Sequence, residues 1–384
     1  MADASRGHRS RLREWLRLRL RAGGVGSLGR LASVDRDQWQ ALAAWRGLVH
    51  QAFAARPLAP QVSSDVWEEG DFHSVAGRRA FFNPARRERE PSSHHYGHDV
   101  QLKRHAGLPL IGPPLPWLLE HGLKVSATAT FDPPRPWSRG YLCMGPLRAR
   151  WLRERFGLPA VPIGPWIRYA RPLLAAAELA RLRAALGPTL LVVLAHSWDQ
   201  VERRMDLTDA VAAVSATASV GGYRQVIWLR HWKDPQPVGL SPDWIVACNG
   251  HRANPWFLDA MRTLLELSDG LVSNAFGTHL GYAVALGKRL HWIPVAVEQD
   301  LSALTGPKAE EERLEWHERQ RLSRQLAERL DNTASQTVGP AGAGDHKEPH
   351  DGEQALQDLL DPYWGFGSVR SPAALRRLLT GEAS

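Results

Sequence analysis

The stretch Ser273–Lys288, SNAFGTHLGYAVALGK, concentrates more chemistry than any other part of this 384-residue chain. A strand pattern ends at Ser273 and a helical pattern begins at Gly277 or Thr278. Gly277 lets a ligand approach the backbone closely. The N–H groups of the new helix, the hydroxyls of Ser273 and Thr278, and the neighbouring Asn274 and His279 form a set suited to phosphate oxygens. An ordinary capped helix would use the same residue types, but polar groups crowd this end of the sheet and favour the anion site. His196 and Ser197 follow one apolar run, Arg230, His231 and Lys233 follow a second, and Asn249, His251, Arg252 and Asn254 follow a third. Together they put cationic and hydrogen-bonding groups around one crevice, as a nucleotide mono- or diphosphate requires.

The first half offers two further candidates. His121, in LLEHGLK, stands just before Gly122. A histidine there suits a general base with a pKa near neutrality, or a helix-end residue favoured by the helix dipole. Asp99 is the alternative base. It closes HHYGHD, where His94, His95 and His98 resemble a metal cluster, but no other carboxylate–histidine pair at ligand spacing supports a metal. Gly24, Gly26 and Gly29 satisfy GxGxxG, yet alternating Leu and Arg precede them instead of a buried strand, so they read as a hinge. The sixteen Trp could stack on sugar rings, though their spread through every segment is that of core residues.

Alternating strands and helices must position these groups. Helices are expected over 173–186, 207–219, 255–267 and 278–286, with strands over 189–195, 225–230, 244–248, 270–273 and 289–293. That alternation implies βαβ units and a parallel sheet covered on both faces, in one doubly wound α/β domain over 173–305. Residues 61–172 are richer in Pro, Gly and His, with strands expected at 123–130 and 140–144. A basic helical extension occupies 1–60, with an imperfectly amphipathic Arg/Leu helix over 9–21 and a second helix over about 35–55. Residues 306–361 read as an acidic insertion, with a charged helix over 309–330 and a flexible loop over 332–351; in 362–384 Ser371 caps a final helix with Pro372 in its first turn.

Charge narrows the function classes. The net +8 is distributed as +6 on residues 1–30, +6 on 31–307, −6 on 308–361 and +2 on the remainder, which disfavours a general nucleic-acid binder. Two cysteines, Cys143 and Cys248, are too few for a disulfide framework or a Cys-rich zinc site. With no apolar run of membrane-span length and no secretory signal, the chain is expected to be soluble and cytoplasmic, with a peripheral contact to an anionic inner membrane face through 9–21.

YGHDVQLKRHAGLPL (96–110), EHGLK (120–124), VPIGPWIRYA (161–170), LSDGLVSNAFGTHLGYAVALGK (267–288) and YWGFGSVRSPAAL (363–375) resemble, in that order, blocks of bacterial surface-polysaccharide proteins of glycosyltransferase type. The resemblance implies a GT-B-like fold, two Rossmann-like domains across a cleft, with an N-terminal helical extension. It also implies a sugar nucleotide held by the C-terminal domain, a glycan or lipid-linked acceptor, and no metal or other cofactor. Ser273, Asn274, Gly277 and Thr278 would hold the donor phosphate, Arg230 and His231 would assist, and His121 would face the cleft. Trp232 and Leu123 depart from the expected pattern. Two alternatives therefore stand beside the transferase: a sugar-nucleotide epimerase on the same fold, and a binding or assembly protein without catalysis.

Overall fold

The computed structural model describes residues 88–381 apart from 110–112, 130–131, 199–200, 232–233, 235–236, 250–251, 253–255 and 337–349. The expected elements at 9–21, 23–29 and 35–55, and the candidates Lys233, His251 and Asn254, lie outside the described residues, as does most of the loop expected over 332–351.

The apolar runs become a five-stranded sheet. Its strands are β4 (Thr189–Val192), β6 (Gln225–Arg230), β7 (Ile245–Cys248), β8 (Gly270–Ser273) and β9 (Arg289–Trp292), in spatial order β7-β6-β4-β8-β9. Every pairing is parallel. Counted within this sheet the order is 3-2-1-4-5, so the winding reverses between β4 and β8, the arrangement of a Rossmann-like fold. Alternation along each strand divides the core between the faces. Leu191, Ile227, Ile245 and Leu271 pack into one cluster with α5 (Phe257–Leu267). Leu190, Val192, Val226, Trp228 and Val272 pack into the other with α4 (Leu207–Val220). Asp206 caps α4 by accepting from the N–H groups of Thr208 and Asp209.

The N-terminal part carries a second, three-stranded parallel sheet of β1 (Leu118–Leu119), β2 (Tyr141–Cys143) and β3 (Ala160–Pro162), with α1 (His98–His105) before it and α2 (Pro146–Phe156) between β2 and β3. β1 ends two residues before His121, which places that histidine at the carboxyl end of its sheet. The strand expected over 123–130 does not form. The N–H groups of Val125 and Ser126 bond instead to the carboxylate of Glu315, at 2.9 Å each for the shorter contacts, which supplies the partner a neighbouring strand would have offered.

α3 (Ala176–Leu186) leads into β4, and the three-residue strands β5 (Glu202–Arg204) and β10 (Glu298–Asp300), distant in the chain, pair antiparallel. α6 (Thr278–Ala285) follows β8. The stretch expected as an acidic insertion contains α7 (Pro307–Gln336), whose Glu315, Leu322 and Leu326 are buried in the body. α8 (His350–Trp364) and α9 (Pro372–Thr380) complete the chain, and Ser371 caps α9 by accepting from Ala374 N–H. Trp364 is fully buried against α6 and donates from its indole N–H to Thr278 O at 3.2 Å. Gly281 permits this contact, since a Cβ there would lie 2.3 Å from the Trp364 ring.

Candidate functional site

The carboxyl ends of both parallel sheets open on one cavity of about 1270 Å³. Loops after β4, β6, β7 and β8 form one wall, the segment 92–98 and the loop after β1 form another, and α7 closes a side. Because β4 and β8 diverge at the winding reversal, their following loops part and leave a crevice, which is where ligands settle in open α/β sheets.

On the main-sheet wall, Gly277, Thr278 and His279 line the cavity at the start of α6, and no side chain caps that helix. The helix therefore presents its positive dipole end to the cavity. Gly277 is required there, since a Cβ would lie 2.6 Å from the His279 ring. Asn274 also lines the wall, but its amide is spent on structure. Its Oδ1 accepts from Ala195 N–H at 2.9 Å and its Nδ2 donates to Val295 O at 3.4 Å, splicing three loops. Ser273 is fully buried and does not reach the cavity; its Oγ lies 2.8 Å from His279 Nε2 and fixes that ring. Burial holds His279 neutral, with its pKa down to about 3.

His196 and His231 stack face to face, ring centroids 4.2 Å apart and 13° from parallel. Burial lowers the His196 pKa to about 4, so the His196 ring is neutral at physiological pH. Ser197 Oγ accepts from Arg203 N–H at 3.1 Å, and Arg230 donates to Asp234 O at 2.6 Å. Asn249 and Arg252 line the far end of the same wall.

The opposite wall is a cluster of aromatic and imidazole rings. His95 Nδ1 and His121 Nε2 lie 3.1 Å apart, with the rings edge to face. Tyr96 adopts a left-handed backbone (φ 58°), stacks edge-on against Phe257 at 4.7 Å and receives its backbone anchor from Arg252 O. His98 stacks on Trp166 at 4.1 Å, and burial lowers its pKa to about 3. Burial first, then His95, His98, Lys124 and Arg252, hold His121 well below the ordinary histidine value. A neutral imidazole on a cavity wall is a proton acceptor. Asp99, the alternative base, is fully buried in the first turn of α1 and does not line the cavity. Among the described residues no group of three or more His, Cys, Asp or Glu side chains has a metal-holding arrangement.

Three contributors escaped the sequence reading. Arg203, Trp316 and Arg319 all line the cavity. Arg319 donates to Phe276 O at 2.6 Å and to Leu123 O, joining the loop before α6 to the loop after His121. The two on α7 follow an inward stripe of Glu315, Arg319, Leu322 and Leu326 at helical spacing, hidden in a segment whose overall charge suggests a solvated helix, whereas nothing in the local sequence marks Arg203 on β5.

No family model matches the sequence, and no curated protein does. Among solved structures, the crystal structure of TcCGT1 in complex with UDP is similar over 63% of this chain and 52% of that chain, at 11% sequence identity and a TM-score of 0.28. The chain thus spans about half the length of that protein. Among the described residues, no helix is long and apolar enough to cross a membrane.

Proposed function

We propose that this chain transfers a sugar from a nucleotide-activated donor to a cell-surface polysaccharide or glycolipid acceptor. The observation that carries the reading is the convergence, in one cavity, of the uncapped α6 N-terminus from one parallel sheet and the neutral His121, hydrogen-bonded to His95, from the other. The donor's phosphate lies against Gly277, Thr278 and His279, with the positive helix terminus and Arg230 facing it. His121 takes the proton from the acceptor hydroxyl as its oxygen bonds to the anomeric carbon. The bond from that carbon to the phosphate oxygen breaks, and the helix terminus stabilises the charge on the departing phosphate.

On this reading residues 61–172 form the acceptor side and 173–305 the donor side, and the Arg-rich segment 9–21 holds the enzyme near an anionic membrane. The test is thermal stabilisation of the full chain by CMP, UDP, GDP and dTDP and by their sugar conjugates, since a ligand of the folded state raises the melting temperature with its concentration. One nucleotide should stabilise the wild type and fail to stabilise Thr278→Glu, whose carboxylate would occupy the anion position. If no nucleotide stabilises the protein, or Thr278→Glu binds as well as wild type, the reading is wrong.

A further inference from the structure

Arg203 is placed unlike its neighbour Arg204. In the antiparallel β5/β10 pair Arg203 stands opposite Gln299, and alternation turns Glu202 and Arg204 to the other face. There Arg204, which with Glu202 also borders the cavity, is exposed and ion-paired, 2.6 Å from Glu202 and 3.7 Å from Asp300. Arg203 is half-buried and lines the cavity, and among the described residues its guanidinium hydrogen-bonds only neutral oxygens: Gln299 Oε1 at 3.2 and 3.1 Å and His196 O at 3.5 Å. It lies over the Trp316 ring, 4.8 Å from the centroid. The carboxylates that approach this region are engaged elsewhere, Glu315 with Arg319 at 2.9 Å and Glu312 with Lys124 at 3.7 Å. Burial, then the like charge of Arg319, lower the Arg203 pKa to about 10 against the opposing pull of Glu312 and Glu315.

Desolvating a guanidinium without a carboxylate is unfavourable, and stacking holds its planar fork in one orientation. Such a group is preorganised for bidentate contact with an incoming anion. Exposed Arg324, one turn and a half beyond Arg319 on α7, also lines the cavity and adds a cation at its edge.

We propose that Arg203, stacked on Trp316 and flanked by Arg319, forms a second anion subsite that takes a phosphoryl or carboxylate group, distinct from the station at the α6 N-terminus. The inference rests on the donor reading for the ligand at α6. Two sources share the required chemistry: the second phosphoryl group of a nucleoside diphosphate, and the carboxylate of an acidic sugar.

Isothermal titration of the full chain with inorganic pyrophosphate, glucuronate, and uridine mono- and diphosphate separates them. Wild type should bind pyrophosphate or glucuronate, and Arg203→Gln should weaken that binding by about tenfold or more, the loss of a charge-assisted contact. Monophosphate affinity should stay unchanged, and Arg203→Lys should fall between the two. Loss confined to pyrophosphate and the diphosphate assigns the subsite to the donor; loss confined to glucuronate assigns it to an acidic sugar. The proposal is overturned if wild type binds neither pyrophosphate nor glucuronate, or if Arg203→Gln binds both as wild type does. Should Arg203→Gln melt early, Trp316→Leu, which removes the stacking platform and keeps the cation, must show the same selective loss. A protein that binds pyrophosphate through Arg203 and no nucleotide at all would reject the donor reading and keep the subsite.

Discussion

His95 Nδ1 and His121 Nε2 share a hydrogen bond of 3.1 Å across the cavity wall, although 26 residues separate them in the chain. One ring fixes the orientation of the other, and burial keeps His121 neutral well below the usual histidine range. If His121 is the base, His121→Ala should lower kcat by roughly 10²–10⁴-fold with donor affinity retained. His95→Ala should lower kcat less. A neutral base is lost only when it is protonated, so the acidic limb of kcat must lie well below pH 6.5. A limb at or above 6.5, or an active His121→Ala enzyme, would exclude the role.

Glu315 and Arg319 couple the two sides of the cavity. Glu315 accepts from the Val125 and Ser126 amides, and Arg319 bridges Leu123 O to Phe276 O. Burial pushes the Glu315 carboxyl up, but Arg319, Lys124 and the two amides outweigh it and hold the pKa below the usual carboxylate value. Its stabilisation is therefore present above the unfolded carboxylate pKa and lost as pH falls through the folded one. Glu315→Ala leaves buried amides without an acceptor and should cost about 1–3 kcal/mol. Amide hydrogen exchange at 123–126 should accelerate in the variant, and unchanged protection there would show that the clamp is not operating.

Arg104 of α1 and Asp259 of α5 form a buried bidentate pair at 2.8 and 2.7 Å, and Asp259 also accepts from Arg171 N–H at 2.9 Å. Asp259→Ala leaves a buried guanidinium without its anion and should destabilise the protein by about 3–5 kcal/mol. Urea denaturation of Asp259→Ala and of an Arg104→Met/Asp259→Leu double variant checks this. The double variant should recover part of the loss, and a single variant within 1 kcal/mol (about the noise of a surface change) of wild type would contradict the assignment.

His98 is buried against Trp166 with its pKa lowered to about 3, burial being the main cause. The unfolded chain binds the proton near pH 6.5 and the folded one does not, so this group's contribution is full above pH 6.5 and falls as pH drops toward 3. Its slope is at most about 1.4 kcal/mol per pH unit. Glu88, raised by burial to about 7, titrates with the opposite sign, so the comparison must be differential. His98→Phe, which keeps the ring stack, should flatten the decline in urea midpoint between pH 6 and 4 relative to wild type. Parallel curves would rule this out.

The local elements of the main sheet are written in the spacing of the chain. β6 and β8 span the expected residues, and β4, β7 and β9 fall within the expected runs, because a buried parallel strand must be a short apolar segment and its turns must be polar. The same spacing identifies the loops at the carboxyl ends of those strands, since His196, Arg230, His231, Asn249, Arg252, Thr278 and His279 all reach one cavity. The role of each polar side chain follows from packing between distant segments. Ser273 and Asn274 are the right residue types for a phosphate site, yet partners 6 and 79 residues away, His279 and Ala195, claim their hydrogen bonds. Asp99 and His121 both sit beside polar motifs, but helix rotation buries one and the end of β1 presents the other. Arg203, Trp316 and Arg319 gain their meaning from the docking of α7 across two sheets. Strand and helix periodicity is a local property written in spacing, whereas hydrogen-bond partnership and desolvation depend on which distant segment arrives at the same place.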